Sequence, residues 1–290
     1  MSKLADFAFE LPSSAIAKFP LQKREGSRML QLSRSEDSFS HQSFVDLIDH
    51  LEADDLLVLN DTKVLPCRMY AKKPTGGKVE IFILDIIDNR HARALLRAHR
   101  SLPSGLQLDL EEDSSQITIL EKIADHYLLA LDGPFDFTEI LNRCGQMPLP
   151  PYLKRNSSED DFQRYQTVYA KALGAVACPT AGLHFSKTFL STLRAKGVRV
   201  AYITLHVGLG TFQPLKVENI EDHRMHAERY IVPEKTCALW HEAKRSGKRI
   251  IAVGTTALRA LESAYALNGL ETEVCAETQL FIYPGYPIRT

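Results

Sequence analysis

The sequence predicts an α/β fold, a mixed sheet with covering helices, interrupted by an inserted all-β domain of barrel-like character. Three observations predict it. Leu56-Leu57-Val58-Leu59 and Arg249-Ile250-Ile251-Ala252-Val253 are short continuous apolar runs, the pattern of strands covered on both faces. Helical patterns stand next to both runs, and that alternation implies a sheet layered with helices. Between about Cys67 and Asn142 the texture changes to strand-like runs broken by turn residues.

Taken in order, Ser43 precedes Phe44, Leu47, Ile48 and Leu51, an i, i+3, i+4, i+7 stripe with a plausible N-cap that predicts an amphipathic helix. The buried strand Leu56–Leu59 follows, and Asn60-Asp61-Thr62-Lys63 breaks it with turn-forming residues. The next runs are Val79–Leu84, Ala92–Ala98, Leu106–Leu110, Gln116–Leu120 and Tyr127–Leu131. Asp88-Asn89, Pro103-Ser104-Gly105 and Asp132-Gly133 separate them, a spacing that suits a small antiparallel barrel or sandwich. Pro148-Leu149-Pro150-Pro151 reads as the hinge that closes this unit. Beyond it, Lys187–Lys196 is a helical pattern ended by Gly197, and Val198–Val207 is the next strand. Leu258, Leu261 and Tyr265 mark a last helix after the Gly254-Thr255-Thr256 turn. The chain therefore divides into a discontinuous α/β domain, residues 1–66 and 143–290, and an inserted all-β domain, residues 67–142.

Composition narrows the function less. With 290 residues, 44% hydrophobic and 24% charged, the chain has ample material for a core. A net charge of −1, from 35 basic and 36 acidic residues, does not announce a nucleic-acid binder, so any RNA contact must come from a local patch. No apolar run is long enough to span a membrane, and the N-terminus carries no signal-peptide pattern. Five scattered cysteines form no CxxC pair or disulfide framework, so a reducing cytoplasm is the expected home. A monomer is expected.

Four segments carry chemistry. Cys178-Pro179-Thr180-Ala181-Gly182-Leu183-His184-Phe185 packs a hydroxyl, a glycine and a histidine into a tight turn, either a ligand contact or an ordinary connection with a satisfied histidine. Thr204–Pro214 ends a strand in His206 and then turns through Gly208 and Gly210, without the third glycine of a dinucleotide fingerprint. Asp222-His223-Arg224-Met225-His226-Ala227-Glu228 admits three readings: a divalent-metal site, an acid–base cluster, or a solvent-facing charged loop. Gly254-Thr255-Thr256-Ala257-Leu258-Arg259 combines a helix N-terminus with an arginine, which suits a carboxylate or phosphate. Capping by Thr255 or Thr256 shares that geometry. Basic residues gather at Lys72, Lys73 and Lys78, at Arg93, Arg97 and Arg100, and at Lys154 with Arg155, as a phosphate-contacting patch or a solvated face.

Together these segments resemble one family. The series runs from Phe9-Glu10-Leu11-Pro12 through Asn60–Val64, Gly76–Glu80, Pro148–Tyr152, Arg164–Tyr169, Pro179–Phe185, Thr204–Gly208, Gly210–Pro214 and Asp222–Glu228 to Phe281–Tyr286. In that order it is similar to the S-adenosylmethionine:tRNA ribosyltransferase-isomerases of queuosine biosynthesis. Cys67 and Cys178 stand where alanine is usual, and Ala257-Leu258 where Ser-Val is common. Family members are expected to continue past the position of Thr290 with an Asn-Phe-His-Leu-Pro motif and a Ser-Ala-Phe-Ala-Gly run, so site residues there are expected to lie outside this sequence.

The resemblance implies a ribosyl transfer from S-adenosylmethionine, a consumed co-substrate, with no other cofactor and no metal. The acceptor is 7-aminomethyl-7-deazaguanine at the wobble position of tRNA; the products are epoxyqueuosine-tRNA, adenine and methionine. Three proton transfers near neutrality make His184, His206, His223 and His226 the catalytic candidates, with Asp222 and Glu228 either orienting them or holding the ribose hydroxyls. Thr180, Gly182, Gly208, Gly210, Gly254, Thr255, Thr256 and Arg259 are the expected donor contacts, on the α/β domain. Lys72, Lys73, Lys78, Lys154 and Arg155 are the expected tRNA contacts. Two alternatives are a metal-dependent hydrolase built on Asp222, His223, His226 and Glu228, and a noncatalytic RNA-binding protein.

Overall fold

The computed structural model describes residues 2–33, 35–208, 210 and 215–290. An N-terminal segment of short 3-10 turns leads to β1 (Arg28–Ser33) and β2 (Ser38–Ser43), paired antiparallel with Leu32 opposite Phe39. The helix predicted from Ser43 is short: a 3-10 turn over Phe44–Asp46 continues into α1 (Leu47–His50). The Ser43 N–H donates to the Asp46 carboxylate at 2.8 Å, as a capped start requires. Asp54, at a φ of 69°, then turns the chain into the next strand.

That strand, β3 (Leu56–Asn60), is buried along its whole length. Its period of two explains why. Leu56 and Val58 pack with Trp240 and Leu261 on one face, while Leu57 and Leu59 pack with Phe189 and Leu193 on the other. Each such leucine contributes about 1.5–3 kcal/mol by leaving water. Next come β4 (Thr62–Val64), β5 (Arg68–Lys72), β6 (Lys78–Ile86), β7 (His91–Ala98), β8 (Gln107–Leu110), β9 (Gln116–Ile123) and β10 (His126–Asp132). Strands β5 to β10 close into an antiparallel barrel in the order β10-β7-β6-β5-β8-β9. Alternate residues such as Met69, Ile81, Ile83, Leu108, Ile117 and Leu129 fill its interior. The register of β6 against β7 shifts between Ile83 and Asp85, a bulge at the barrel rim.

Residues 137–142, which the sequence reading kept within the all-β segment, are helical. They belong to α2 (Phe137–Cys144), capped by Asp136, whose carboxylate accepts from the Glu139 N–H at 2.8 Å. Phe137, Ile140, Leu141 and Cys144 repeat at helical spacing and pack into the barrel's core. In the Pro148–Pro151 run expected as a hinge, Pro148, Leu149 and Pro150 are buried.

After α3 (Glu159–Arg164), β11 (Ala172–Ala175) runs parallel to β4. Then follow α4 (Lys187–Ala195), β12 (Arg199–Leu205), β13 (Glu228–Val232), α5 (Glu234–Arg245), β14 (Ile250–Ala252), α6 (Gly254–Asn268) and β15 (Val274–Thr278). The main sheet has the order β14-β3-β12-β13-β15. Its first three strands are parallel, β13 pairs antiparallel with β12 and β15 antiparallel with β13, so the predicted mixed sheet with covering helices and a β-barrel is the observed fold. No helix among the described residues is long and apolar enough to cross a membrane.

Candidate active site

The C-terminal end of β12 is held by three consecutive residues that run from the last of β3 to the first of β4. Asn60 donates through Nδ2 to Leu205 O at 3.0 Å and accepts the Leu205 N–H at 3.0 Å. Asp61 accepts from Thr204 Oγ1 at 2.6 Å. Thr62 Oγ1 lies 2.9 Å from His206 Nδ1 and 3.5 Å from Ala172 O. With the hydroxyl proton directed at that carbonyl, Thr62 accepts from Nδ1–H, and Nε2 keeps its lone pair. Read locally, Asn60–Lys63 is a turn, and none of these three partnerships is visible there. The signals in the sequence are the polar residues that directly follow a fully apolar strand and the place of Asn60–Val64 in the family series.

His206 lines a cleft of about 480 Å³ where the barrel rim meets the sheet edge. Asp85 and Arg93 line it from the barrel; Gly208, Glu228, Arg229 and Glu277 line it from the sheet side. The imidazole pKa is lowered by burial and by Arg229, partly offset by Asp61 and Asp85, so the ring is neutral near pH 7. Burial raises the Asp61 carboxyl pKa in spite of its hydrogen bond from Thr204. Gly174, at a φ of 146°, lies so close to the ring that a Cβ there would sit 3.0 Å from it.

Arg259 is not directed at the Gly254 turn. Five residues further along α6, it faces β13 and β15, pairs with the Glu228 carboxylate and donates to Thr278 O at 2.9 Å and His226 O at 3.2 Å. The other oxygen of Glu228 accepts the Gly208 N–H at 2.7 Å. This ion pair is buried and fixes the turn after His206. Neither Thr255 nor Thr256 caps α6: Val253 occupies the N-cap, Thr255 is exposed, and the buried Thr256 hydroxyl has no partner among the described residues. Gly254 abuts Ala181.

The Asp222–Glu228 segment does not form a convergent cluster. Asp222 is exposed and accepts from Asn219 at 3.2 Å, and the His223 ring meets Phe281 edge-on at 5.1 Å. His226 lies beside Gly210, and Glu228 turns inward to Arg259. Among the described residues no three His, Cys, Asp or Glu side chains are grouped as a metal would require. Leu209 and Thr211–Pro214 of the glycine-rich segment lie outside the described residues.

His184 belongs to a second, larger cleft of about 660 Å³, which Thr180 also lines. Its ring packs on Phe44 at 5.2 Å, at the end of a 3-10 turn over Thr180–His184. Gly182 in that turn is buried, with no room for a Cβ against the Tyr169 hydroxyl, so it serves packing. The N-terminal segment forms the opposite wall. Arg24 donates to Leu183 O and Gln163 O at 3.1 and 3.0 Å, and Arg164 to Leu21 O and Gln22 O at 2.6 and 2.8 Å. The structure thus separates His184 from His206.

The profile of the queuosine biosynthesis protein family matches residues 4–290. This chain belongs to that family. It is 45% identical over 290 residues to the S-adenosylmethionine:tRNA ribosyltransferase-isomerase of Herminiimonas arsenicoxydans, covering 100% of this chain and 83% of the relative. The relative of that name in Trichlorobacter lovleyi is 45% identical over 284 residues, 98% of this chain and 83% of its own length. A solved structure, the S-adenosylmethionine tRNA ribosyltransferase of Thermotoga maritima, is 29% identical, covers 98% of this chain and 81% of its own, and superposes with a TM-score of 0.49.

In this queuosine-family chain the expected RNA contacts differ in availability. Lys72 and Lys78 both face Glu111, at 3.8 and 3.9 Å, and Lys73 donates to Arg100 O and Ser101 O. Lys154 is exposed. Arg155 is committed: its guanidinium grips Asp161 at 2.6 and 2.8 Å and donates to Lys18 O at 2.7 Å. It is a structural clamp, a role that the local sequence Lys154-Arg155 gave no reason to expect.

Proposed function

We propose that this chain transfers and isomerises the ribosyl group of S-adenosylmethionine onto 7-aminomethyl-7-deazaguanine at the tRNA wobble position, releasing adenine and methionine and leaving epoxyqueuosine. The reading rests on family membership across residues 4–290, and the cleft at His206 supports it.

The sulfonium of the donor acidifies the adjoining 5′-methylene, and a neutral imidazole is the base that such a proton requires near pH 7. His206 supplies it: Thr62 holds Nδ1–H, burial keeps the ring uncharged, and Nε2 takes the proton. The donor carries a net positive charge from its sulfonium and ammonium against one carboxylate. The walls of this cleft are mixed in charge, with Asp85 facing Arg93 at 3.7 Å and Glu277 beside Arg229, and that mixture matches a donor carrying both cationic groups and a carboxylate. Arg259 and Glu228 act beneath the site by holding Gly208 in place. The work is done in a reducing cytoplasm by a monomer, without a metal.

The test is adenine release from S-adenosylmethionine by wild-type and His206→Ala protein, with and without precursor tRNA, after exhaustive chelation. Release that needs the tRNA, survives chelation and falls about 10²–10⁴-fold in the variant supports the reading. Full activity in His206→Ala removes His206 from the chemistry, and activity restored only by added zinc or magnesium contradicts the metal-free route.

A further inference from the structure

We propose that the larger cleft, between the N-terminal segment and the Thr180–His184 turn, binds a nucleotide of the single-stranded tRNA loop. Its phosphates would lie on Lys18, Lys23 and Arg28, and its base against the rings of Phe19 and Tyr152. The inference rests on the tRNA-modifying reading and adds the place where the strand is held.

The lining of the cleft is one-sided in charge. Among the described residues Lys18, Lys23, Arg24, Arg28, Arg155 and Arg164 face a single carboxylate, Asp161, which Arg155 already occupies. The remaining arginines are not idle. Arg24, Arg155 and Arg164 each donate to main-chain carbonyls and so fasten residues 18–24 against α3 and the Leu183 turn. The fastening leaves the Lys18, Lys23 and Arg28 side chains exposed and with no hydrogen bond or ion pair among the described residues. A whole-chain charge of −1 makes this local excess more telling. Free cations along a pre-formed wall are what a phosphodiester backbone recognises.

The apolar component fits the same ligand. Phe19 is 67% and Tyr152 55% exposed, and both line the cleft. Exposed aromatic rings in a cationic groove are stacking platforms for unpaired bases. Phe19 is held by the Arg155 guanidinium, 4.5 Å from the ring centroid. S-adenosylmethionine suits this cleft poorly, because a donor of net positive charge meets a positive lining. The two clefts thereby divide the substrates, the mixed-charge one for the donor and the cationic one for the strand.

The test uses full-length Lys18→Ala/Lys23→Ala and Phe19→Ala variants and a fluorescent anticodon stem-loop RNA titrated across a salt series. Donor binding is followed in parallel by calorimetry. All the substituted side chains are exposed, so an unchanged melting midpoint is expected, with the charge reversal Lys23→Glu as a second variant. The expected result is at least a tenfold loss of RNA affinity in each, on the order of one stacked base or two phosphates. The double lysine variant should also lose about 1.4 from the salt slope, with donor affinity unchanged. Wild-type RNA affinity and slope in both variants, while the wild-type enzyme still modifies tRNA, overturns the assignment alone. Loss of donor binding instead gives the cleft to S-adenosylmethionine and overturns it too. A wild-type protein that neither binds nor modifies the RNA removes the functional reading, and this assignment with it.

Discussion

Thr62 Oγ1 lies 2.9 Å from Nδ1 of His206, although 144 residues separate them, because β4 lies against the C-terminal end of β12, the middle strand of the main sheet. On the proposed reading the Thr62 hydroxyl, directed at Ala172 O, accepts from Nδ1–H, and Thr62 is then a positioning residue. Thr62→Val keeps the shape and removes the acceptor; turnover should fall roughly tenfold to a hundredfold with little change in KM. Thr62→Ser should restore most of it. Equal turnover in all three proteins removes the tautomer argument.

The pH profile follows from the same ring. The base form of His206 exists above its folded pKa, and burial and Arg229 place that pKa below the ordinary histidine value of 6.5. Activity should therefore persist to below pH 6.5 and fall only as the pH drops through the lowered folded pKa. Arg229→Gln removes a cation that lowers the pKa, so the acid limb should move to higher pH. A limb that stays in place, or moves down, contradicts the assignment of His206 as base.

Arg259 and Glu228 form a buried pair, and truncating one partner strands the other charge. Arg259→Ala should cost about 3–5 kcal/mol of stability, read as a fall in Tm of roughly 10 °C. An unchanged Tm with only a raised KM for S-adenosylmethionine would return Arg259 to the carboxylate-binding role expected from its sequence position.

Asp161 links α3 to the N-terminal segment through Arg155, whose hydrogen bonds hold the Asp161 pKa at about 2, against 3.8 for the free side chain. A depressed carboxyl stabilises the fold above the unfolded pKa, and that stability is lost as pH falls through the folded one. The window therefore runs from about pH 4 down to about 2, and the contribution is roughly 2 kcal/mol. Asp161→Asn should flatten the stability profile across that window in acid-denaturation titrations. A profile as steep as wild type there places the acid sensitivity elsewhere.

The fold was legible where packing follows a period. The two apolar runs became β3 and β14, and the turn-separated runs between Cys67 and Asp132 became a closed barrel. What the sequence concealed were long-range partnerships. Asn60, Asp61 and Thr62 read locally as a turn, and their function depends on Thr204, Leu205 and His206. Arg155 and Arg259 looked like open cations because Asp161 and Glu228 reach them only in the folded chain. His184 and His206 shared a chemical argument but occupy different clefts, and no spacing rule reports on that separation.

The central claim is that the wobble nucleoside gains the donor's ribosyl group. Mass spectrometry of nucleosides from precursor tRNA, incubated with wild-type protein and S-adenosylmethionine carrying an isotopic label in its ribose, measures this directly. The account predicts that the 7-aminomethyl-7-deazaguanine nucleoside is replaced by epoxyqueuosine carrying the ribose label, with one adenine and one methionine released for each nucleoside converted. A nucleoside of unchanged mass, or one that gains only a methyl group, would contradict it.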